Sequence, residues 1–230
     1  MSQNQFVLPG DVIATGDSRP DQNVILDGDK LISTAVGFSE TKDNFVSVIP
    51  VTGFYTPNPD DLVIGKIISH NALSWEVDIN SYYPGILLAS DVFGKDYSPS
   101  RDDLSLKLNT GDVVLARVTN MGSRDPLITI AGESLGRVDS GELIKISSSA
   151  VPYLTNSVIQ TIKESTNANI TVGQNGLIVL KCDNSTCLTK AIKSIKMIGM
   201  MRNNDSIEEK IKNFLDEDNW KNENLKNDMY

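Results

Sequence analysis

The sequence predicts a mainly β protein with a C-terminal α+β domain, and three observations support this fold class. Five short strand patterns crowd into residues 61–131. Further short strand patterns precede them, in residues 6–50. Apolar residues recur at helical spacing only in the last third of the chain, so helices are expected chiefly there.

The central stretch is expected to form a small closed barrel of the OB type. In Ser74–Ile79 the apolar residues alternate with polar ones, which is typical of a half-buried strand. Five strands with one longer connection, Asp91–Gly111, favour a five-stranded OB barrel over an open sheet. Such barrels commonly bind single-stranded nucleic acid or oligosaccharide. The expected strands are Leu62–Ile68, Ser74–Ile79, Ile86–Ala89, Asp112–Val118 and Leu127–Ala131.

Residues 1–58 are expected to form a small β domain before the barrel, which takes residues 59–138. The boundary is placed at Pro57-Asn58-Pro59, because each proline disfavours helix in the residue before it. Two strands, Leu31–Phe38 and Asn44–Pro50, are expected to be joined by a polar turn at Ser39–Asp43. The polar stretch Asp17–Asn23 is expected to be a loop.

Residues 139–205 are expected to form a compact α+β unit with the order strand, helix, hairpin, helix. The first helix is predicted over Val151–Ser165, and the second begins after a cap at Asn184 or Ser185. The hairpin strands, Asn169–Val172 and Leu177–Cys182, flank a glycine-bounded turn. Residues 206–230 are expected to hold a last amphipathic helix, Ser206–Leu215, and a disordered acidic tail.

Composition excludes several functional classes. No apolar run approaches the twenty or so residues of a membrane helix, and the polar N-terminus does not have the pattern of a secretion signal. Two cysteines, Cys182 and Cys187, cannot supply a disulfide framework or a four-ligand zinc site, so a reduced cytoplasmic compartment is expected. The net charge of −9 argues against strong general binding of nucleic acid. Any RNA contact must therefore come from locally focused cations.

No catalytic constellation is recognisable in the sequence, and no metal or cofactor is expected. A glycine-rich phosphate loop ending in Lys-Ser or Lys-Thr is missing. The single histidine, His70, is too little for Ser-His-Asp or Cys-His chemistry.

The order of the expected parts (small β unit, OB barrel, α+β unit) and four short stretches of the chain resemble the KH-containing RNA-binding cap subunit of the archaeal exosome. The resemblance covers about residues 6 to 215. It implies that the barrel is of the ribosomal-protein S-one type and that the last unit is a KH domain. The stretches are Leu8-Pro9-Gly10-Asp11, Tyr55-Thr56-Pro57 with Asp61–Gly65, Trp75-Glu76-Val77-Asp78-Ile79-Asn80, and Val172-Gly173-Gln174-Asn175-Gly176.

The resemblance implies a non-catalytic role. In that family three copies cap a phosphorolytic ring of RNase-PH-type subunits, and the N-terminal domain docks on the ring. The barrels surround the pore and guide single-stranded RNA, with a preference for adenine-rich tails, to 3′–5′ degradation. Two other functions stay open from the residues alone: a free-standing translation or ribosome-associated factor, and a nuclease in its own right.

The expected KH domain departs from the RNA-binding pattern. RNA-binding KH domains clamp phosphates with a Gly-x-x-Gly loop between two helices. The corresponding stretch here, Val151–Ser157, holds neither glycine nor lysine, so this domain is expected to be chiefly structural. The resemblance implies that the turn formed by Gly173, Gln174, Asn175 and Gly176 helps to seat the KH domain against the barrel.

The candidate RNA-binding residues lie in the loops of the barrel, which are expected to gather at one binding edge. Trp75 is expected to be a core residue, and the lysines at 190, 193 and 196 to form a solvated helix face. Lys95, Arg101, Lys107 and Arg124 are the candidates for phosphate contact; Tyr82, Tyr83 and Phe93 are the candidates for base contact, and His70 for RNA contact at the first loop.

Overall fold

The computed structural model describes residues 5–50, 54–94, 96–122, 125–200 and 207–216. The chain divides into two compact units, Met1–Gly53 and Phe54–Tyr230, and each is described by itself. The tail expected beyond Asp216 lies outside the described residues, and the three predicted domain ranges stay predictions.

The described residues of the first unit, 5–50, form seven short strands in two small sheets. One sheet has the order β1-β6-β7-β3 and the other the order β2-β5-β4. Its core is small: Val7, Val24, Leu31, Val46 and Val48 are the buried apolar residues. The strands are β1 (Phe6–Val7), β2 (Val12–Thr15), β3 (Arg19–Pro20), β4 (Val24–Asp27), β5 (Lys30–Ser33), β6 (Gly37–Lys42) and β7 (Phe45–Pro50).

Three predictions for this unit are wrong. The expected strand Leu31–Phe38 is two strands, because β5 ends at Ser33 and β6 begins at Gly37, and the two belong to different sheets. The stretch Ser39–Asp43 is not a turn, because β6 continues to Lys42, which pairs with Phe45. The turn is Asp43-Asn44, where both residues have positive φ, as a two-residue hairpin loop requires. Polar residues fit the end of this strand because it is exposed to solvent. The expected loop Asp17–Asn23 contains the short strand β3, which pairs in parallel with β7.

The second unit begins with the predicted barrel, which is confirmed. The five strands pair in the order β12-β10-β9-β8-β11, and β11 also pairs with β12, which closes the barrel. A short helix and a 3₁₀ turn lie in the long connection, and β13 pairs with the first part of β11. The elements are β8 (Leu62–His70), β9 (Ser74–Asp78), β10 (Gly85–Leu88), α1 (Ala89–Phe93), the 3₁₀ turn Leu104–Leu106, β11 (Val113–Met121), β12 (Pro126–Thr129) and β13 (Gly136–Arg137).

Trp75 lies in the barrel core, as predicted. Its side chain is fully buried among residues such as Val77, Leu87 and Val118. The indole N–H donates a hydrogen bond to the carbonyl of Leu108 at 3.0 Å. The polar group of this large side chain is therefore satisfied inside the barrel.

The C-terminal part of the unit has a three-stranded antiparallel sheet in the order β14-β16-β15 and helices that pack against it. The predicted helix Val151–Ser165 is wrong as a single element, because it breaks at Leu154-Thr155. Thr155 is the N-cap of the second piece and its side chain accepts from the Val158 N–H. The elements are β14 (Glu142–Lys145), the 3₁₀ helix Ser148–Tyr153, α2 (Asn156–Thr166), β15 (Asn169–Val172), β16 (Leu177–Lys181), α3 (Ser185–Met200) and α4 (Ile207–Asp216).

The two faces of this sheet have different partners. Ile178 and Leu180 face the helices and join the core of Ile162, Ile195 and Ile211. On the other face, Leu177 and Val179 pack with Ile64 of β8, and with Val113 and Leu115 of β11. The sheet thus lies against the outside of the barrel, which fixes the position of the α+β domain.

Candidate nucleic-acid interface

The directions of the strands place the barrel loops at two opposite ends. The strands β8, β10 and β12 run one way, because β9 is antiparallel to both β8 and β10, and β10 is parallel to β12. The connections 71–73 and 89–112 therefore lie at one end, here called the His70 end. The connection 79–84 lies at the other, here called the Tyr82 end. The described candidates form two groups and not one binding edge.

The His70 end holds an open cleft of about 420 Å³ beside the first loop. His70, at the end of β8, is exposed and lines this cleft together with Tyr97, Arg101 and Asp103. Ser105 donates to Asp103 from both its hydroxyl and its amide, and these bonds hold the pKa of Asp103 below its usual value; the charge of His70 contributes less. The cleft thus mixes one arginine and one histidine with carboxylates.

Arg101 is held by its neighbours in the long connection. Its guanidinium lies 3.1 Å from an oxygen of Asp102 and donates to the carbonyl of Asp96 at 2.7 Å. The hydrogen bond from Arg101, and then the one from the Ser98 amide, hold the pKa of Asp102 below its usual value. An RNA phosphate at Arg101 would have to compete with a carboxylate that stays charged at neutral pH.

The ring of Phe93 is already covered. It stacks on Trp75 with 6.3 Å between centroids and an angle of 4°, and it contacts Tyr97 at 5.3 Å. The ammonium of Lys107, an exposed residue, lies 5.8 Å from the centroid of the same ring. These contacts leave Lys107 more open to a ligand than Phe93.

The Tyr82 end carries exposed aromatic side chains. Tyr82 is 73% exposed and Tyr83 is 51% exposed. The ring of Phe54, which is 53% exposed, lies 4.5 Å from the ring of Tyr82 at an angle of 47°. Sequence reasoning missed Phe54. An aromatic residue outside any strand pattern was the available signal, but the sequence could not show that residues 54 and 82 meet.

Two of the candidates lie outside the described residues. Lys95 belongs to the long connection and Arg124 to the turn between β11 and β12. Both stay predictions of phosphate contact.

The turn after β15 binds the barrel through one buried side chain. Asn175 is fully buried, and its amide donates to the carbonyls of Ile64 at 2.6 Å and Ile79 at 2.8 Å. Its side-chain oxygen accepts from the Ile64 N–H at 3.3 Å. The side chain of Asn80 donates to the Asn175 carbonyl at 2.7 Å.

The other residues of this turn fit the same contact. Two hydrogen bonds join Gln174 to Leu62. The backbone N–H of Gln174 donates to the Leu62 carbonyl, and the side-chain oxygen of Gln174 accepts from the Leu62 N–H. A Cβ on Gly173 would lie 2.9 Å from the Ile64 nitrogen, and one on Gly176 would lie 2.5 Å from the Ile146 oxygen. Both positions need glycine, and these contacts support the structural interpretation of the turn.

The described part of the chain offers little for catalysis. In it no three His, Cys, Asp or Glu side chains lie close enough together to hold a metal ion. Burial raises the pKa of the Cys182 thiol, and burial together with the hydrogen bond to Asp61 raises the pKa of the Tyr55 hydroxyl. Neither residue is activated as a nucleophile at neutral pH. None of the helices in these ranges is long and apolar enough to cross a membrane.

Several known proteins are similar to this chain. A protein of Nitrosopumilus maritimus (strain SCM1), "Exosome complex component Rrp4", is 49% identical over 218 residues, which are 93% of this chain and 96% of that protein. Proteins with the same name in Sulfurisphaera tokodaii and Pyrococcus furiosus are 35% and 32% identical; they align with 92% and 94% of this chain, and with 88% and 84% of their own lengths.

A solved structure shows the same fold. It is described as "Crystal structure of putative exosome complex RNA-binding protein" and is 35% identical to this chain. The match has a TM-score of 0.67 and covers 71% of this chain and 95% of that one. No family model matches the chain.

The fold and the candidate site define the class of this protein: an OB-barrel protein with a small N-terminal β unit and an α+β domain fixed to the outside of the barrel. Within this class, identity of 49% over nearly the whole length assigns the family. The chain belongs to the Rrp4 family of exosome complex components.

Proposed function

We propose that this chain is a non-catalytic RNA-binding subunit of the archaeal exosome. It caps a ring of RNase-PH-type subunits and guides single-stranded, adenine-rich RNA 3′ ends to the pore for 3′–5′ degradation. The observation that carries the proposal is the near full-length similarity to proteins named exosome complex component Rrp4. The closed barrel, a fold that commonly binds single strands, supports it further.

The first unit supplies the surface that docks on the ring. Val12 of β2 and Ile25 of β4 both pair with Ile32 of the central strand β5, so these side chains share one sheet face. Val12 is 50% exposed and Ile25 is 53% exposed. An apolar row on so small a unit is typical of a protein-binding face.

The mechanism is tethering. Weak contacts at the barrel keep the RNA 3′ end near the pore and raise its effective concentration there. Three copies around the ring add avidity, which a single chain with a net charge of −9 lacks. The α+β domain contributes by position, because the break Leu154-Thr155 between its first two helices has no glycine loop for phosphates. The complex works in the cytoplasm.

Reconstitution with the RNase-PH-type ring tests this proposal. The full-length chain should co-purify with the ring and increase the retention and degradation of adenine-rich RNA. Unchanged RNA binding and degradation by the ring would contradict the proposal. Labelled RNA incubated with the isolated chain, Mg²⁺ and phosphate should stay intact, and any turnover would favour a nuclease. No feature of the described residues favours the ribosome-associated alternative.

A further inference from the structure

All exposed aromatic side chains among the described residues of the second unit lie at one end of the barrel. They are Phe54, Tyr82 and Tyr83. The other described aromatic residues of this unit are buried or half-buried, and at the His70 end Phe93 is covered by Trp75 and Tyr97. Any base that stacks on a freely exposed aromatic ring in this part of the protein must do so at the Tyr82 end.

The Phe54–Tyr82 pair is held in place from both sides. The Tyr55 N–H donates to the Asn80 carbonyl at 3.0 Å, and Tyr55 forms a β-bridge with Ser81. Asn80 is anchored in turn by its bond to the Asn175 carbonyl. The backbone beside each ring is thus fixed, so a ligand that stacks there does not have to order these segments.

The charges near this end are mixed. Asp60, before β8, and Asp78, at the end of β9, are both exposed, and the exposed cations Arg117 and Lys66 lie beside them: Arg117 donates to the Asp60 carbonyl and Lys66 is the cross-strand neighbour of Asp78. Carboxylates repel the phosphate backbone, whereas stacking on a ring face needs no cation. Every base can stack, and preferences between bases come from differences in stacking strength. Since adenine has a larger ring system than uracil, it gains more from an aromatic pair.

We propose that Phe54 and Tyr82 form a base-stacking platform that gives this protein its preference for adenine over uracil. The inference rests on the proposed function, because it assigns a residue-level origin to RNA selection by the same barrel. The exposed residues Lys107 and His70, at the opposite end, are the proposed further contacts with the RNA.

Binding of oligoadenylate and oligouridylate of equal length by the full-length protein tests the platform. The double substitution Phe54→Ala with Tyr82→Ala should weaken oligoadenylate binding by about fivefold to 100-fold. Oligouridylate binding should change less, so the adenine preference should shrink. The variant Phe54→Tyr with Tyr82→Phe keeps both rings and should bind like the wild type. Phe45→Ala, which removes an exposed aromatic ring of the first unit, is the matched control and should not change RNA binding.

Co-purification with the RNase-PH-type ring separates the outcomes. Equal oligoadenylate affinity in the wild type and in the double alanine variant would overturn the platform and leave the proposed function intact. Loss of ring binding by that variant, with RNA affinity retained, would overturn it in favour of a protein-docking surface. A wild type that neither binds RNA nor joins the ring would overturn both proposals. Both side chains are exposed, so the variants should keep the wild-type melting temperature.

Discussion

The side-chain amide of Asn175 hydrogen-bonds to the barrel backbone at the contact between the α+β domain and the barrel, as a peptide group of a neighbouring strand would. Its amide replaces the partners that the carbonyls of Ile64 and Ile79 would otherwise find in water. A buried group that loses its partner costs about 1–3 kcal/mol. The sequence motif identified the turn, but only the structure shows which barrel atoms it satisfies.

Substitution of this residue should destabilise the second unit. Asn175→Ala leaves two carbonyls and one N–H without partners, so urea unfolding should show a loss of about 3 kcal/mol. Asn109→Ala, at an exposed asparagine, is the control and should change stability by less than about 0.5 kcal/mol. A similar small change at Asn175 would mean that water replaces its bonds.

A glycine comparison separates backbone strain from steric exclusion. Gly176 and Gly111 both have positive φ, but an added Cβ meets the Ile146 oxygen only at Gly176 and has open space at Gly111. Gly111→Ala should cost about 1–2 kcal/mol from the left-handed conformation alone. Gly176→Ala should cost clearly more in the same denaturant experiment. Equal losses would show that the contact at Gly176 relaxes freely.

At the scale of elements, the long connection between α1 and β11 is shaped by its own side chains. Asp102 both neutralises Arg101 and accepts from the Ser98 amide, so one carboxylate organises this loop. Because the pKa of Asp102 is lower in the folded chain than in the unfolded one, its carboxylate is fully charged at any pH above the unfolded pKa. The pairing is lost only as the pH falls through the folded pKa. Hence no pH dependence of RNA binding near neutrality is expected from this pair.

Removal of that carboxylate should release Arg101 for RNA. Asp102→Asn should raise RNA affinity and make the dependence of log affinity on log salt steeper by about 0.7, the effect of one added phosphate contact on a single strand. Asp139→Asn removes a carboxylate from another exposed arginine, Arg137, and is the control. An unchanged salt slope in Asp102→Asn would show that this carboxylate does not keep Arg101 from a phosphate.

Local patterns in the sequence were sufficient for most of the strands. The alternation around Trp75 predicted both β9 and the burial of the indole, because the period of two is a local property. Non-local features were out of reach. The Phe54–Tyr82 pair joins distant segments, and the break at Thr155 depends on a capping bond that competes with helix continuation.

At the scale of the whole molecule, the two compact units divide the proposed work. Ring docking is assigned to the first unit and RNA contact to the barrel. Substitutions on the docking surface of the first unit should therefore reduce ring binding and leave RNA binding unchanged, and substitutions at the RNA contacts of the barrel should do the reverse.

A charge on the exposed apolar row tests this division. Ile25→Asp should reduce co-purification with the ring by tenfold or more, about 1.4 kcal/mol, because it places a carboxylate in an apolar contact. RNA binding by the isolated chain should stay unchanged. Leu106→Asp, at an 80% exposed residue of the second unit, is the control for ring binding. Normal capping by Ile25→Asp would place the docking surface elsewhere.

The bonds of Asn175 also have a thermal consequence. The sheet of the α+β domain shares apolar contacts and a buried hydrogen-bond network with the barrel. The two parts should therefore unfold cooperatively, as one unit. In a scanning calorimeter the barrel and the α+β domain should therefore absorb heat in a single peak, and the first unit should account for any second one.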